Sequence, residues 1–438
     1  MRRVKIIIIP VIILIVGLGL VVYFKTTNEN KYVLKNTREL NLQNYEDSSE
    51  LSFIKKDIEN KKIVMTSEVH GANENVDLRY KFINYLIDNW DLKYIFLEIG
   101  YVEGQLTNNY IQSGNEKYLD CLIEASNVYK SNEAYISLLK RLNEKNKNLP
   151  DDKKIQIIGV ECIEESDTVA NYISCIINEN PNLDQDKVTE LTNFADEIKK
   201  YLLLDSFGIN EDNAPEKIVK IVEKLEGHIN GNYDSYEASL GEELFDLKFI
   251  LNNIKNSQSF NKTSSYKTDS DKEFYEARDK YTYNNFKTLK KHFNVDKAYF
   301  HYGIKHVYQK PFNDVKFLGA YMNEDEELKN DIYSVNLLYG NGVINHRNEG
   351  NIQYSSLGNE MKAVLKNTNF ENKDIIIDLN NRRSPFKNSL TPTCFQLTDT
   401  SPEVEEKFNG NVGVTTDYFQ AVIIINKPTP LKVIKAGE

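Results

Sequence analysis

The chain has 438 residues, and near its start Ile6 to Phe24 form a 19-residue run without a charged side chain. As a helix rising 1.5 Å per residue, such a run spans roughly 30 Å, the hydrocarbon thickness of a bilayer. Arg2, Arg3 and Lys5 precede it and Lys25 follows. It ends Val22-Tyr23-Phe24-Lys25, without the small residues of a signal-cleavage site, so an uncleaved signal anchor over residues 1–25 fits better than a cleaved leader. Tyr23 and Phe24 suit the membrane interface, and Pro10 is tolerated inside a membrane helix. The basic cluster predicts a cytoplasmic amino terminus, which puts the rest of this single-pass chain outside the cytoplasm. Residues 26–50 are polar and read as a juxtamembrane linker. Residues 51–438 then form one folded domain.

Within that domain, short apolar runs alternate with helical periodicity. Lys61–Ser67, Tyr94–Leu97 and Ile155–Val160 read as strands, and Glu74–Asn89 as a helix with Asn73 at its cap position. This alternation predicts an α/β fold with a mainly parallel sheet flanked by helices. Residues 166–256 read as a large helical insertion, and a helix covers Glu273–Lys291. Strands return at Ala298–Phe300, Val315–Leu318, Ile332–Leu338, Ile375–Leu379 and Ala421–Ile425. A formal net charge of -11 argues against nucleic acid as a partner, since phosphate recognition needs clustered Lys and Arg. Cys121, Cys162, Cys175 and Cys394 form no CxxC pair, which speaks against a structural zinc site. Buried thiols are their plainest reading, with one or two disulfides left open.

The chemistry-bearing residues collect where these strands end. Glu68 and His70 follow the first strand, two apart, so an extended backbone projects both to one side. A carboxylate there can orient an imidazole and raise its basicity. The second strand closes on Glu98 and the third on Glu161. In parallel sheets, ligand sites gather beyond the carboxyl ends of strands, so successive acids at that edge carry more weight than any one. His301 and His306 follow the strand at Ala298. Aromatic neighbours make a packed role plainer for His301 than for His306. His228, His292 and His346 lie in polar stretches or at a helix end and read as solvated or structural. Arg278 and Asn285 share nearly one face of the preceding helix. Arg278, like Arg79 on the first helix, reads either as an anion clamp or as half of a surface salt bridge.

Taken in order, these pieces resemble the erythromycin esterase family, within a wider group that includes TraB/Tiki-like and haem-uptake ChaN-like proteins. SEVHGANENVDLR, with Glu68, His70, Glu74 and Arg79, is similar to the family's Glu/His pair before a helix bearing an acid and a base. FLEIG supplies Glu98, GVE supplies Glu161, and RDKYTYNN supplies Arg278, Asp279 and Asn285. HYGIKHV supplies His306, and DYFQAVIII closes the set, so the resemblance runs over residues 60–430. The resemblance implies hydrolysis of an ester or lactone. His70 would activate water, Glu68 and Glu98 would orient it, and His306 or Arg278 would stabilise the oxyanion. The sequence lacks a G-x-S-x-G elbow, which agrees with direct attack by water. Glu68 and His70 are closer together than the family's pair, which leans toward the broader group and away from macrolides. Two other readings stay open. Glu68, His70, Glu98 and His306 could hold a divalent metal in a TraB/Tiki-like protease, or the chain could bind haem or another small molecule through His70 or His306 without catalysis. The cofactor expectation is therefore none or a divalent metal, and the partner a small-molecule substrate.

Overall fold

The computed structural model describes residues 28–124, 132–201, 214–261, 272–346, 349–366, 368–388, 390 and 413–432. Among them no helix is long and apolar enough to cross a membrane. The Ile6–Phe24 run lies outside the described residues.

The main strands are β1 (Thr37–Glu39), β2 (Ile63–Glu68), β3 (Tyr94–Gly100), β4 (Gln156–Glu161), β5 (Ala298–Gly303) and β6 (Ile332–Tyr339). A hairpin follows, β7 (Gly342–His346) with β8 (Gly350–Tyr354), and then β9 (Ile375–Asp378) and β10 (Ala421–Ile425). Outside the hairpin they join one eight-stranded sheet in the order β1-β9-β10-β6-β2-β5-β3-β4. Every pairing from β10 to β4 is parallel, and β9 is antiparallel to both its neighbours.

Parallel neighbours need crossovers, and helices provide them. α1 (Glu74–Trp90) links β2 to β3, and α2 (Tyr101–Ser113), α3 (Glu116–Glu124) and α4 (Glu133–Lys147) lead to β4. The expected insertion is α5 (Ser166–Glu179), α6 (Gln185–Tyr201), α7 (Ala214–Gly231), α8 (Tyr233–Leu240) and α9 (Glu243–Asn261). α10 (Lys272–His292) then enters β5, and α11 (Leu318–Glu324) precedes β6.

Helices on both faces explain why the strands read as continuous apolar runs. Along β2, Ile63 and Met65 join the hydrophobic cluster that holds Ile173, Leu191 and Phe286, while Val64 joins the cluster that holds Phe82 and Leu86 of α1. Phe96 against Ile95 and Leu97, and Ile158 against Ile157, alternate in the same way. All eight residues of β6 are buried. Burying each large aliphatic side chain contributes about 1.5–3 kcal/mol, so the sheet centre is the stable platform.

Three expectations need correction. Residues 28–50 are not a linker: β1 pairs with β9, and Val33, Leu40 and Leu42 are buried. Their short apolar signals are spread among polar residues, so composition hides them. Val315–Leu318 is not a strand. Val315 makes one isolated bridge with Phe312, and Leu318 opens α11, anchored by its N–H to Asp279 Oδ1 at 2.7 Å. Asn73 stands at the cap position of α1 without capping it, and donates instead to the Pro430 carbonyl at 2.9 Å.

The turn leaving β2 is fixed by Gly71, at φ +96. Its carbonyl accepts from Asn345 N at 2.9 Å and Leu431 N at 3.0 Å, so the β7–β8 hairpin and the segment after β10 grip the loop that carries His70. A Cβ on Gly71 would lie 2.1 Å from the Asn345 carbonyl oxygen, and left-handed φ disfavours any other residue. Gly71→Ala is therefore expected to cost about 2 kcal/mol or more. Thermal denaturation checks this; an unchanged Tm would contradict the account of this loop.

Candidate active site

The carboxyl ends of β2, β3, β4 and β5 bring Glu68, Glu98, Glu161 and the segment from Gly303 to His306 together, as the sequence led us to expect of a parallel sheet. Each acid is largely withdrawn from water: Glu161 is 4 % exposed, and the side chains of Glu68 and Glu98 are 13 % exposed. Charges so placed demand partners.

Glu68 has three. His70 Nδ1 lies 2.8 Å from Oε1, while Arg79 Nη2 and His301 Nε2 lie 3.0 and 2.7 Å from Oε2. Desolvation works against its charge, but His301, His70 and Arg79 outweigh it and hold the carboxyl well below its usual range. Behind it, His301 Nδ1 meets Thr66 Oγ1 at 2.7 Å, and Thr66 meets the Tyr299 hydroxyl at 2.6 Å. Burial, then the nearby Arg79, pushes the His301 imidazole down to about 4, so it is neutral near pH 7. Ionised Glu68 can only accept, which assigns the His301 proton to Nε2 and leaves Nδ1 to accept from Thr66. His301 is thus both packed, as its aromatic neighbours suggested, and wired to the site.

His70 is the open member, with 49 % of its side chain exposed. Nδ1 is held by Glu68, and Nε2 points to Glu98 Oε2 at 3.9 Å. Desolvation opposes its charge, but the hydrogen bond to Glu68 and the charges of Glu98 and Glu68 push the imidazole up to about 9.

Glu98 organises the other half. Oε1 accepts from Arg278 Nη2 at 2.7 Å, and Oε2 accepts from the Gly303 N–H at 2.7 Å. Burial raises this carboxyl, but His306, Arg278 and His70 together bring it down to about 2. Arg278 also donates through Nε to Glu161 at 2.9 Å, so one guanidinium ties β3 to β4. Burial keeps Glu161 above its usual value despite that partner. His306 Nδ1 sits 2.6 Å from Asp279 Oδ1, and its Nε2 lies 3.4 Å from Arg278 Nη1 and 3.6 Å from Glu98 Oε1. Burial lowers it, but Asp279 and Glu98 prevail and raise it. Two His–acid pairs thus flank Glu98, with both Nε2 atoms turned toward it. Between them lies Gly303, where a Cβ would be 3.3 Å from His306 Cδ2, 3.4 Å from Glu98 Oε2 and 3.8 Å from His70 Nε2. The three groups thus converge beside the Gly303 backbone, where a side chain would crowd them.

Two expected site residues stand apart. Glu74 accepts from Thr429 Oγ1 at 2.7 Å and Thr429 N at 2.9 Å, fastening the carboxyl-terminal segment. Asn285 is a buttress: its Nδ2 donates to the Val160 carbonyl at 3.2 Å and to Asn253 Oδ1 at 2.9 Å. Asn253 in turn donates to Glu164 at 2.8 Å, which accepts from the N–H groups of Tyr101 and Val102 at the start of α2. Glu164 and Thr66 were not among the expected residues. Glu164 follows β4 by three positions with no spacing signal, and Thr66 is an ordinary strand residue. Asp279 was visible only as the neighbour of Arg278 in the motif.

The donor set fits a metal poorly. The oxygens of Glu68 and Glu98 already face two arginines, three imidazoles and a backbone N–H, and a cation there would have to displace guanidinium groups. Among the described residues no group of three or more His, Cys, Asp and Glu is arranged to hold a metal ion.

Glu68→Gln tests the electrostatics. The His70 pKa, followed by imidazole NMR, is expected to fall from about 9 toward the ordinary 6.5. Because the folded value is the higher one, His70 contributes stability that is complete below about 6.5 and fades as pH rises through about 9, and the variant flattens that limb. Leaving Arg79 and His301 facing a neutral amide should cost about 3–5 kcal/mol, the range for breaking a buried pair. A His70 pKa that does not move would show that Glu68 does not set it.

No family model matches the chain, and no curated protein matches its sequence. Solved structures do. A Bacillus cereus protein aligns over 94% of this chain and 99% of its own with a TM-score of 0.65 and 17% identity. A succinoglycan biosynthesis protein aligns over 93% and 99%, with a TM-score of 0.65 and 14% identity. The erythromycin esterase EreC, in the open conformation of a histidine-to-asparagine mutant, aligns over 91% and 99%, with a TM-score of 0.58 and 15% identity. At these identities the likeness is one of fold, and it spans nearly the whole of each chain.

Proposed function

We propose that this chain is a hydrolase that cleaves a carboxylic ester or lactone by direct attack of a water molecule. The observation that carries the reading is the pair of Glu68 with the half-exposed His70, with Nδ1 of His70 fixed at 2.8 Å from Glu68 and Nε2 turned toward Glu98. A water on the exposed side of His70 meets Nε2, which takes its proton as the oxygen attacks the carbonyl carbon. Glu98, ionised across the working pH range, orients the water. The tetrahedral oxyanion is stabilised by the cationic side opposite, from Arg278 and His306. His306, raised by Asp279, is placed to return a proton to the leaving alkoxide. Glu161 and Asn285 hold Arg278 and the end of β4 in position. The fold likeness to an erythromycin esterase supports the hydrolase class.

The setting belongs to the same proposal. Arg2, Arg3 and Lys5 before the apolar Ile6–Phe24 run favour a single-pass anchor with the domain outside the cytoplasm. An ester of the cell envelope or its surroundings is then a more fitting substrate than a drug acting on ribosomes. The metal-dependent and haem-binding readings are less well supported, because both imidazole Nε2 atoms face one carboxylate that two hydrogen bonds already fix.

The test is hydrolysis by the purified chain of a panel of lactones and activated esters, followed by pH-stat. Turnover that falls by about 10²–10⁴-fold in His70→Gln, assayed well below the melting temperature of the variant, is expected. Turnover that survives the substitution, or no turnover across the panel, would overturn the reading.

A further inference from the structure

We infer that Cys121 and Cys175 are a disulfide-forming pair that staples the first helix of the insertion to the core. Cys121 lies on α3 and Cys175 on α5, and both are thiols in this structure. The Cys175 thiol is close enough to Cys121 for their side chains to interact. The helices around them are held in one register. Tyr118 donates from its hydroxyl to Glu179 Oε1 at 2.8 Å, and Lys117 Nζ lies 3.5 Å from the same oxygen. Advancing from 117 and 118 to 121 on α3 matches retreating from 179 to 175 on α5, about one turn on each helix, so the two run antiparallel with the thiols facing. The flanking contacts and the thiol contact thus agree on one register.

The remaining cysteines are unlike this pair. Cys162 is buried beside the Arg278 carbonyl, 4.0 Å away. Cys394 lies outside the described residues. Cys121 is half-buried while Cys175 is buried, which orders the chemistry. The more accessible Cys121 thiolate attacks a disulfide of the oxidant and expels one of its sulfurs as thiolate. The Cys175 thiolate then attacks Cys121 Sγ, forms the Cys121–Cys175 bond and expels the second. The oxidant gains two electrons and the two protons the cysteines lose. A thiol–disulfide oxidoreductase would serve as the oxidant outside the cytoplasm; that source rests on the proposed location, whereas the pairing rests on neither location nor hydrolase activity.

Closing the pair ties α5, which starts five residues after Glu161, to α3 and hence to α2 beside the site. The test uses the full chain, purified reduced in detergent and moved into glutathione-disulfide buffer. Remaining thiols are alkylated and the peptides mapped without reduction. A single 121–175 link is expected, with Cys162 alkylated only after denaturation. The oxidised chain should melt about 3 °C or more above Cys175→Ser treated alike. Alkylation of both Cys121 and Cys175, or glutathione retained on Cys121 with Cys175 still a thiol, would overturn the inference.

Discussion

Two arginines, through three contacts with carboxylates, hold the carboxyl edge of this sheet in its present form. Arg79 on Glu68 and Arg278 on Glu98 and Glu161 compensate three acids that the fold withdraws from water. Without them the acids would take up protons, and the ends of β2, β3 and β4 would lose the charge that positions the imidazoles. With them, Glu68 and Glu98 stay ionised and can act on His70 and His306. The planar fork of arginine suits this, since Arg278 serves two strands through different nitrogens. Arg79 comes from α1, the helix that follows the strand it serves, whereas Arg278 reaches β3 and β4 from α10, far along the chain from both.

The rest of the structure fixes these pieces from behind. Gly71, Asn345 and Leu431 clamp the His70 loop, Thr66 and Tyr299 back the His301 ring whose tautomer Glu68 sets, and Asn285, Asn253 and Glu164 brace the ends of β3 and β4. Asp279 links His306 to the amino end of α11 by accepting from Leu318 N. A site assembled from four strand ends and held by packed helices leaves little to be ordered when a substrate arrives, which is the condition for electrostatic catalysis.

Much of this was legible in the sequence. The strand ends carrying Glu68, Glu98, Glu161 and His306 could be read because each follows a short apolar run, and a parallel sheet gathers such ends at one edge. Helical periodicity located α1 and much of the 166–256 insertion. What stayed hidden has physical causes. β1 is three residues long and stable only through β9, so local composition gave no sign of it. Val315–Leu318 is apolar because Phe317 and Leu318 pack against the core and open a helix, not because they pair. Glu74 shares a motif with Glu68 and His70 but lies on the side of α1 that faces Thr429, a distinction that spacing alone does not make. Asp279 lay inside a helix of many charged residues, where only the fold shows which one faces His306.

The central claim is that His70, set by Glu68, is the base that activates water. The pH dependence of kcat/KM, compared between the wild type and Glu68→Gln on one reactive lactone, tests it most directly. The account predicts a wild-type rate that climbs with pH toward about 9 as the His70 imidazolium loses its proton, and a limb displaced to lower pH in the variant. A limb at the same pH in both proteins would contradict it and assign the titrating base to another group.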